Sequence, residues 1–322
     1  DLHRVDRRQL QMCIRDRKYT FNLNTYLAVG AMLLGIILID SYGIIIKSLG
    51  DTYSTTQLLV FRNVFAIIPL VILILFSQDD LKIFKDLNKK FITVCLIRGL
   101  CFTGVNVFFF ISVINMQYAI AMTLTFASPF FIALLSIIIL KDKVGIYRWS
   151  AIVIGFLGVI MIMKPTSDVF VIYSIFPILV AFCWSLSMIV LKFIPENIST
   201  AKIQFYSLFF SIVGAFVLYF ISSDHQPIEN MSHLFLMIMT GILGGTAGIL
   251  FIYAYRLMLP SKLAPFEYLG IPSSFILGWI FFKEAPIDQL FPGVLAIVLA
   301  GMIIIWRDAL RENHQRDNKK FY

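Results

Sequence analysis

Runs of about 20 apolar residues recur ten times along this chain, and no other feature narrows its possible folds so far. A helix rises about 1.5 Å per residue, so each run is near the length needed to cross a hydrocarbon layer about 30 Å thick. The runs are Thr25–Lys47, Thr56–Phe76, Phe91–Ile114, Tyr118–Leu140, Tyr147–Met163, Val169–Leu191, Ala201–Ile221, Leu234–Tyr255, Leu263–Phe282 and Leu290–Trp306. Apolar residues make up 59% of the 322 and charged ones only 14%, against about 45–50% and about 25% in soluble domains. A water-soluble fold has no way to hide that much apolar surface. The expected class is an all-α polytopic membrane protein with ten transmembrane helices, whose first partner is the lipid bilayer.

The net charge of +8 is then a matter of topology rather than a footprint for nucleic acid, and no nucleic-acid partner is expected. Of the 27 Lys and Arg residues, 22 fall in the N-terminal segment, in the loops after runs 2, 4, 6 and 8 or the first two residues of the run that follows (Arg148, Lys202), and in the C-terminal tail. Lys164 and Lys283 are alone on the opposite side, and Lys47, Arg62 and Arg98 lie within runs. One missed span would scramble every later loop, so this split supports ten spans with both termini cytoplasmic. Residues 1–24 are polar and basic, lack the apolar core of a cleavable signal, and do not begin with Met. They are set aside from the fold argument as a segment that need not be native.

Several chemistries are excluded. Cys13, Cys95, Cys101 and Cys183 show no metal spacing, and the four histidines fall in polar ends or loops, so neither a metal nor another cofactor is expected. No phosphate-cradling glycine loop is present, so ATP does not drive this chain directly.

Thr123 to Pro165 reads as an apolar helix broken by Pro129, a basic turn, and a second apolar helix with Gly155 and Gly158. Glu267 to Arg307 repeats the pattern. A shift of 143 residues lays Ala121 on Ala264, Pro129 on Pro272, Ile154 on Ile297 and Gly158 on Gly301, and a one-residue slip lays Lys141-Asp142 on Lys283-Glu284. Ordered matches at one spacing point to duplication. The expected organisation is a first five-helix repeat over 25–165, a second over 166–307, and a charged cytoplasmic tail over 308–322. Five is odd, so the second copy enters the membrane from the opposite side, giving two inverted repeats with a cavity between them.

Within Asp40–Arg62, Arg98–Pro165 and Ala264–Glu284, several motifs carry a family resemblance. They are Phe61–Asn63 (FRN), Arg98-Gly99, the run into Ser128-Pro129, Gly155–Val159 (GFLGV) and Ala264–Gly270 (APFEYLG). The chain resembles the drug/metabolite transporter (DMT) superfamily, in its EamA-type branch of ten-helix carriers, over roughly residues 25–306. It departs at Lys141-Asp142, where many members carry Gly-Glu. The resemblance implies secondary active transport of a small polar metabolite, amino acid or amine by alternating access. It also implies a bacterial cytoplasmic (inner) membrane, a proton or counter-solute as coupling partner, and a monomer or homodimer. The alternative is an integral-membrane enzyme or a non-transporting membrane partner subunit. Against the enzyme, no span carries a metal-binding helix motif, a catalytic triad order or clustered acids.

Ionisable groups inside spans are expensive, which makes Asp40, Lys47, Arg62, Arg98 and Glu267 candidates for substrate binding or gating. Glu267 suits a substrate amine or a coupling proton, and Arg98 a substrate carboxylate; equally, the two can pair with each other to fix packing. Asp40 with Arg62 or Lys47 would form an outer gate or a permanent structural pair. Asn106, Gln117, Tyr118, Trp184, Tyr253, Tyr255 and Tyr268 are candidates to line the cavity, with Trp184 and Tyr268 suited to stacking on a planar or cationic group. Pro129 and Pro272 mark kinks. Gly241, Gly244, Gly245 and Gly248 form overlapping GxxxG patterns for close helix approach or sliding. The topology has a direct test: reporter tags in the Ser222–His233 loop are expected to read outside and tags after Asn318 inside. The reverse at either site would break the ten-span arrangement.

Overall fold

The computed structural model of the chain describes residues 2–76, 88–141, 146–163, 168–195, 197–222, 225–228, 230–258, 260–284, 287, 291–296, 298–300 and 302–303. Helix dominates throughout, and no strand occurs among the described residues. Seven helices among them are long and apolar enough to cross a membrane: Asn24–Leu49, Thr55–Phe76, Lys89–Asn115, Tyr118–Leu140, Ile172–Phe193, Thr200–Ile221 and Met231–Leu257. Phe266–Phe282 is a shorter apolar helix. The expected fifth run is helical from Ile146 to Met163. The expected tenth run is helical at 293–296 and 298–300, with parts of it, and the 308–322 tail, outside the described residues.

Polar residues set the helix starts. Ser54 Oγ accepts from the Gln57 N–H (3.3 Å), Asn88 Oδ1 from Lys90 (3.2 Å), Ser199 Oγ from Lys202 (3.2 Å) and Asn230 Oδ1 from Ser232 (2.9 Å). These caps satisfy first-turn N–H groups that have no partner within the helix. The chain then runs α1 (Leu2–Leu49), α2 (Thr55–Phe65), α3 (Ile67–Phe76), α4 (Lys89–Asn115), α5 (Tyr118–Thr125), α6 (Ser128–Leu140), α7 (Ile146–Met163), α8 (Asp168–Val190), α9 (Thr200–Ile221), α10 (Met231–Leu257), α11 (Pro260–Leu263) and α12 (Gly270–Phe282).

Three apolar runs are interrupted near proline. Ala66 separates α2 from α3, with Pro69 in the first turn of α3. Phe126 and Ala127 separate α5 from α6, whose second residue is Pro129, a position where the missing N–H costs little. A 3-10 stretch, Ala264–Leu269, separates α11 from α12, with Pro265 inside it and Pro272 in the first turn of α12. The pieces after the last two breaks match: α6 and α12 each have 13 residues, and each is followed by a left-handed lysine, Lys141 (φ 57) and Lys283 (φ 55).

α1 lies along α10, α4 packs on α8 and α9, α10 packs on α2 and α3, and α12 packs on α1 and α5. Glycine sets the closest approaches. A Cβ on Gly241 would sit 2.4 Å from Phe65 Cβ and 2.8 Å from its backbone carbonyl carbon, and one on Gly245 would sit 2.9 Å from the Ala66 Cα. The outer surface carries large apolar side chains, with Phe76 86% and Phe220 78% exposed, as a lipid-facing surface would. Inside, two apolar clusters form, one around Phe109, Phe110 and Tyr118, the other around Met32, Phe251 and Tyr255. Backbone contacts of this kind cannot relax as side chains do. Gly241→Ala should therefore lose about 1–3 kcal/mol, read as a lowered melting temperature of the purified protein. Gly104→Ala should hold or raise it, because its Cβ would meet Cys183 Sγ at an ordinary 3.5 Å. Equal melting of both variants would refute this account of the α10 interface.

Candidate functional site

A cavity of about 90 Å³ opens between the two apolar clusters. Ile36, Asp40 and Tyr42 of α1 line it with Arg62 of α2, Phe102, Asn106 and Phe109 of α4, and Trp184 of α8. Gly244, Gly248 and Phe251 of α10 complete one wall, and Phe126, Ser128 and Glu267 reach it from the helix breaks before α6 and α12.

Glu267 sits in the 3-10 stretch and is 4% exposed. Ser128 Oγ donates to its Oε2 (2.5 Å), while Trp184 Nε1 (3.0 Å) and Tyr255 OH (2.6 Å) donate to its Oε1. Three donors from α6, α8 and α10 thus converge on one carboxylate, an arrangement that suits the ionised form. The Ser128–Glu267 bond joins one helix break to the other.

Asp40 is fully buried. Its Oδ2 accepts from Ser273 Oγ, and its Oδ1 has no partner. Tyr118 OH donates to the Asp40 backbone carbonyl (2.8 Å). Arg62 Nη1 donates to Asn63 Oδ1 (2.9 Å), its guanidinium lies over the Tyr42 ring (5.7 Å), and its Nε has no partner. Gly244 leaves the room it occupies: a Cβ there would be 2.8 Å from Arg62 Nε. Asn106 Nδ2 returns to the Phe102 carbonyl of its own helix (2.7 Å).

The remaining expected site residues lie elsewhere. Arg98 is fully buried between α4, α8 and α9, donating to the Ser187 carbonyl and, at 3.4 Å, to Ser207 Oγ, and it does not line the cavity. It forms no pair with Glu267. Lys47 donates to Glu284 Oε1 (2.8 Å) and to the Met116 carbonyl (2.7 Å), and the Tyr118 N–H closes the cluster by donating to Glu284 Oε2 (2.6 Å). This is the only ion pair among the described residues; Asp40 and Arg62 share the cavity without forming one. Tyr268 lines a small side cavity near α7 with Phe130 and Phe156. Gln117 and Tyr253 are exposed. Among the kink and packing residues, Pro129 is buried at the start of α6, Pro272 is exposed, Gly241 contacts α2, and Gly245 contacts Ala66 between α2 and α3 and Pro69 of α3.

Ser128, Ser273, Tyr42 and Glu284 were not singled out as site residues by the sequence. Ser128 carried a signal in its place beside Pro129. Glu284 carried one as the acid beside a lysine that ends an apolar run. Ser273 and Tyr42 are ordinary residues in apolar helices and carried none.

The sequence profile of the EamA-like transporter family matches this chain twice, over residues 26–164 and 171–306. A riboflavin transporter of Rhizobium johnstonii is 29% identical over 197 residues, 61% of this chain and 64% of that protein. The match thus spans under two thirds of that relative's length. An S-adenosylmethionine uptake transporter of Rickettsia conorii is 24% identical over 300 residues, 92% of this chain and 99% of that protein. A pseudopaline exporter of Pseudomonas aeruginosa is 24% identical over 257 residues, 80% of this chain and 88% of that one. One solved crystal structure shares the fold, with a TM-score of 0.66 at 16% identity over 88% of this chain and 97% of its own.

Lys47 and Glu284 have side chains 14% and 20% exposed, so their attraction is only partly screened. Lys47→Met and Glu284→Gln should each lower thermal stability, by about 1 kcal/mol, and the double variant should lose less than the two losses added. Additive losses in a double-mutant cycle would show that the pair does not couple.

Proposed function

Because the chain belongs to the EamA-like transporter family, we propose that it is a secondary active transporter for a small polar metabolite, amino acid or amine. It works by alternating access across a bacterial cytoplasmic membrane, with both termini cytoplasmic. Ten spans are arranged as two inverted five-helix repeats, 25–165 and 166–307. The double match to one family profile supports this, as do the equal lengths and matching left-handed ends of α6 and α12.

The observation that carries the reading is the meeting of two broken helices at a buried acid beside a cavity. Unwound backbone inside a membrane is tolerated where it is packed in protein or lines a cavity, and carriers place their binding sites at such breaks. Here Ser128, at one break, donates to Glu267, at the other. Movement of one half against the other has to strain or break that bond, so the state of Glu267 is tied to the state of the carrier. A solute cation, or a proton exchanged for it, is what compensates the acid when its hydrogen bonds rearrange.

The Lys47–Glu284 cluster ties α1 and the turn before α5 to the end of α12. In the proposed topology this is the outer end, so the conformation described is closed to the outside. Asp40, Arg62, Asn106, Trp184 and Glu267 form the binding or gating set. Arg98 acts from behind the wall, holding α4 to α8 and α9.

The reading is tested with purified protein in liposomes, by counterflow of labelled S-adenosylmethionine and of labelled riboflavin. Counterflow of a small metabolite is expected, and Glu267→Gln should lower it at least tenfold, with the protein still folded. Uptake by Glu267→Gln unchanged in rate and in pH dependence would remove Glu267 from the mechanism.

A further inference from the structure

Most polar groups around the cavity are already engaged. Both oxygens of Glu267 are taken. Ser128 gives its hydroxyl to Glu267, and its carbonyl accepts from Ser185 Oγ at 2.9 Å. Thr125 Oγ1 and Asn106 Nδ2 donate to carbonyls of their own helices, each at 2.7 Å. Among the buried side-chain atoms of the described residues that line the cavity, two have no partner: Asp40 Oδ1 and Arg62 Nε, on residues that are 0% and 8% exposed. Both residues line this same cavity.

The two atoms are complementary in kind. A carboxylate oxygen accepts hydrogen bonds, and a guanidinium N–H only donates them. A buried polar atom without a partner carries a standing penalty, larger for a charged group. A guest removes both penalties if it brings a donor to Asp40 and an acceptor to Arg62. Charged partners do so with roughly twice the strength of neutral ones. The surface around these atoms is apolar and largely aromatic, with Phe102, Phe109, Phe126, Trp184 and Phe251. Glu267 adds a second acid, so two carboxylates face one guanidinium with no ion pair among them. That surplus selects against a guest with net negative charge.

From this geometry we infer that the cavity takes a zwitterionic solute, with its ammonium at Asp40, its carboxylate at Arg62, and an apolar or cationic body against the aromatic wall near Glu267. The inference rests on the carrier reading of that cavity and narrows it. It also sorts the relatives' named solutes: S-adenosylmethionine carries an ammonium, a carboxylate and a sulfonium, whereas riboflavin carries no charge at neutral pH.

Equilibrium binding tests it apart from transport. The purified full-length protein is titrated with the standard L-amino acids, S-adenosylmethionine and riboflavin, read by thermal shift and tryptophan fluorescence. The tightest zwitterion is then compared with its decarboxylated and N-acetylated forms on the same wild-type protein, so that no variant has to fold. Each modified form should bind about tenfold more weakly or worse. Asp40→Asn should weaken the zwitterion and the decarboxylated form but not the N-acetylated one. Arg62→Gln should weaken the zwitterion and the N-acetylated form but not the decarboxylated one. A purely structural role for either residue would weaken all three alike. The inference is overturned if no zwitterion binds, if the modified forms bind as well as the parent, if either variant weakens all three forms alike, or if riboflavin binds more tightly than every zwitterion. Counterflow is scored separately. Riboflavin moved while zwitterions fail to bind keeps the carrier and removes this inference. Zwitterion binding with no solute moved keeps the site and removes the carrier.

Discussion

A carboxylate held inside an apolar helical bundle is the constraint on which the rest of this structure depends. An isolated charge in such surroundings is costly enough that it must be paired, solvated by protein donors or neutralised. For Glu267 the protein supplies three donors, from Ser128, Trp184 and Tyr255. They come from three helices and bond a fourth segment, so the acid fixes the relative placement of α6, α8, α10 and the 3-10 stretch. The helix breaks follow from the same need. An unbroken fourth span would continue through Phe126 and Ala127, whereas the break starts a new helix at Ser128 and brings its hydroxyl to the acid.

Glycine on α10 serves the cavity as well as the packing. Gly241 lets the backbone of α2 come close, Gly245 that of Ala66 between α2 and α3, and Gly244 leaves space for the Arg62 guanidinium. Without that space the side chain would have to leave the cavity wall. The small-residue pattern is therefore a packing device with a chemical result: it allows a large cation to be buried in the cavity wall. Close approach in membranes relies on van der Waals contact rather than on expulsion of water, so a single added methyl group acts on both packing and site.

The all-helical membrane class was legible because its cause is collective: the length of the apolar runs does not depend on knowing which helix touches which. The breaks near Pro129 and Pro272 were legible because proline acts on its own backbone. Partners were not. Helical periodicity assigns Arg98 to a face of α4 but cannot say that α9 presents Ser207 to that face, and so Arg98, weighed as a ligand for a substrate carboxylate or as the partner of Glu267, instead bonds serine and carbonyl acceptors. Tyr255 and Tyr268 were both candidates to line the cavity, and of the two it was Tyr268 that suited stacking on a solute. Tyr255 reaches the acid from α10, while Tyr268, next to it in sequence, is turned by the 3-10 stretch toward a side cavity. Glu284 lay just past the end of an apolar run, and a left-handed Lys283 was needed to swing it back toward α5.

The two polar clusters differ in how readily they open, and burial decides the difference. Lys47 and Glu284 retain some exposure, so when they separate, water can replace each partner, and the net loss is on the order of 1 kcal/mol. Glu267 has no such access. Breaking its bonds without a substitute would strand a buried charge, a loss of about 3–5 kcal/mol by analogy with a broken buried pair. In the proposed cycle the outer cluster can therefore open by thermal motion alone, while the inner one rearranges only when a cationic group or a proton arrives to take the place of the donors. An inner step that waits for an arriving cation and an outer step that does not would couple movement of the two halves to occupancy. That ordering requires no sensor beyond the unequal exposure of two acids.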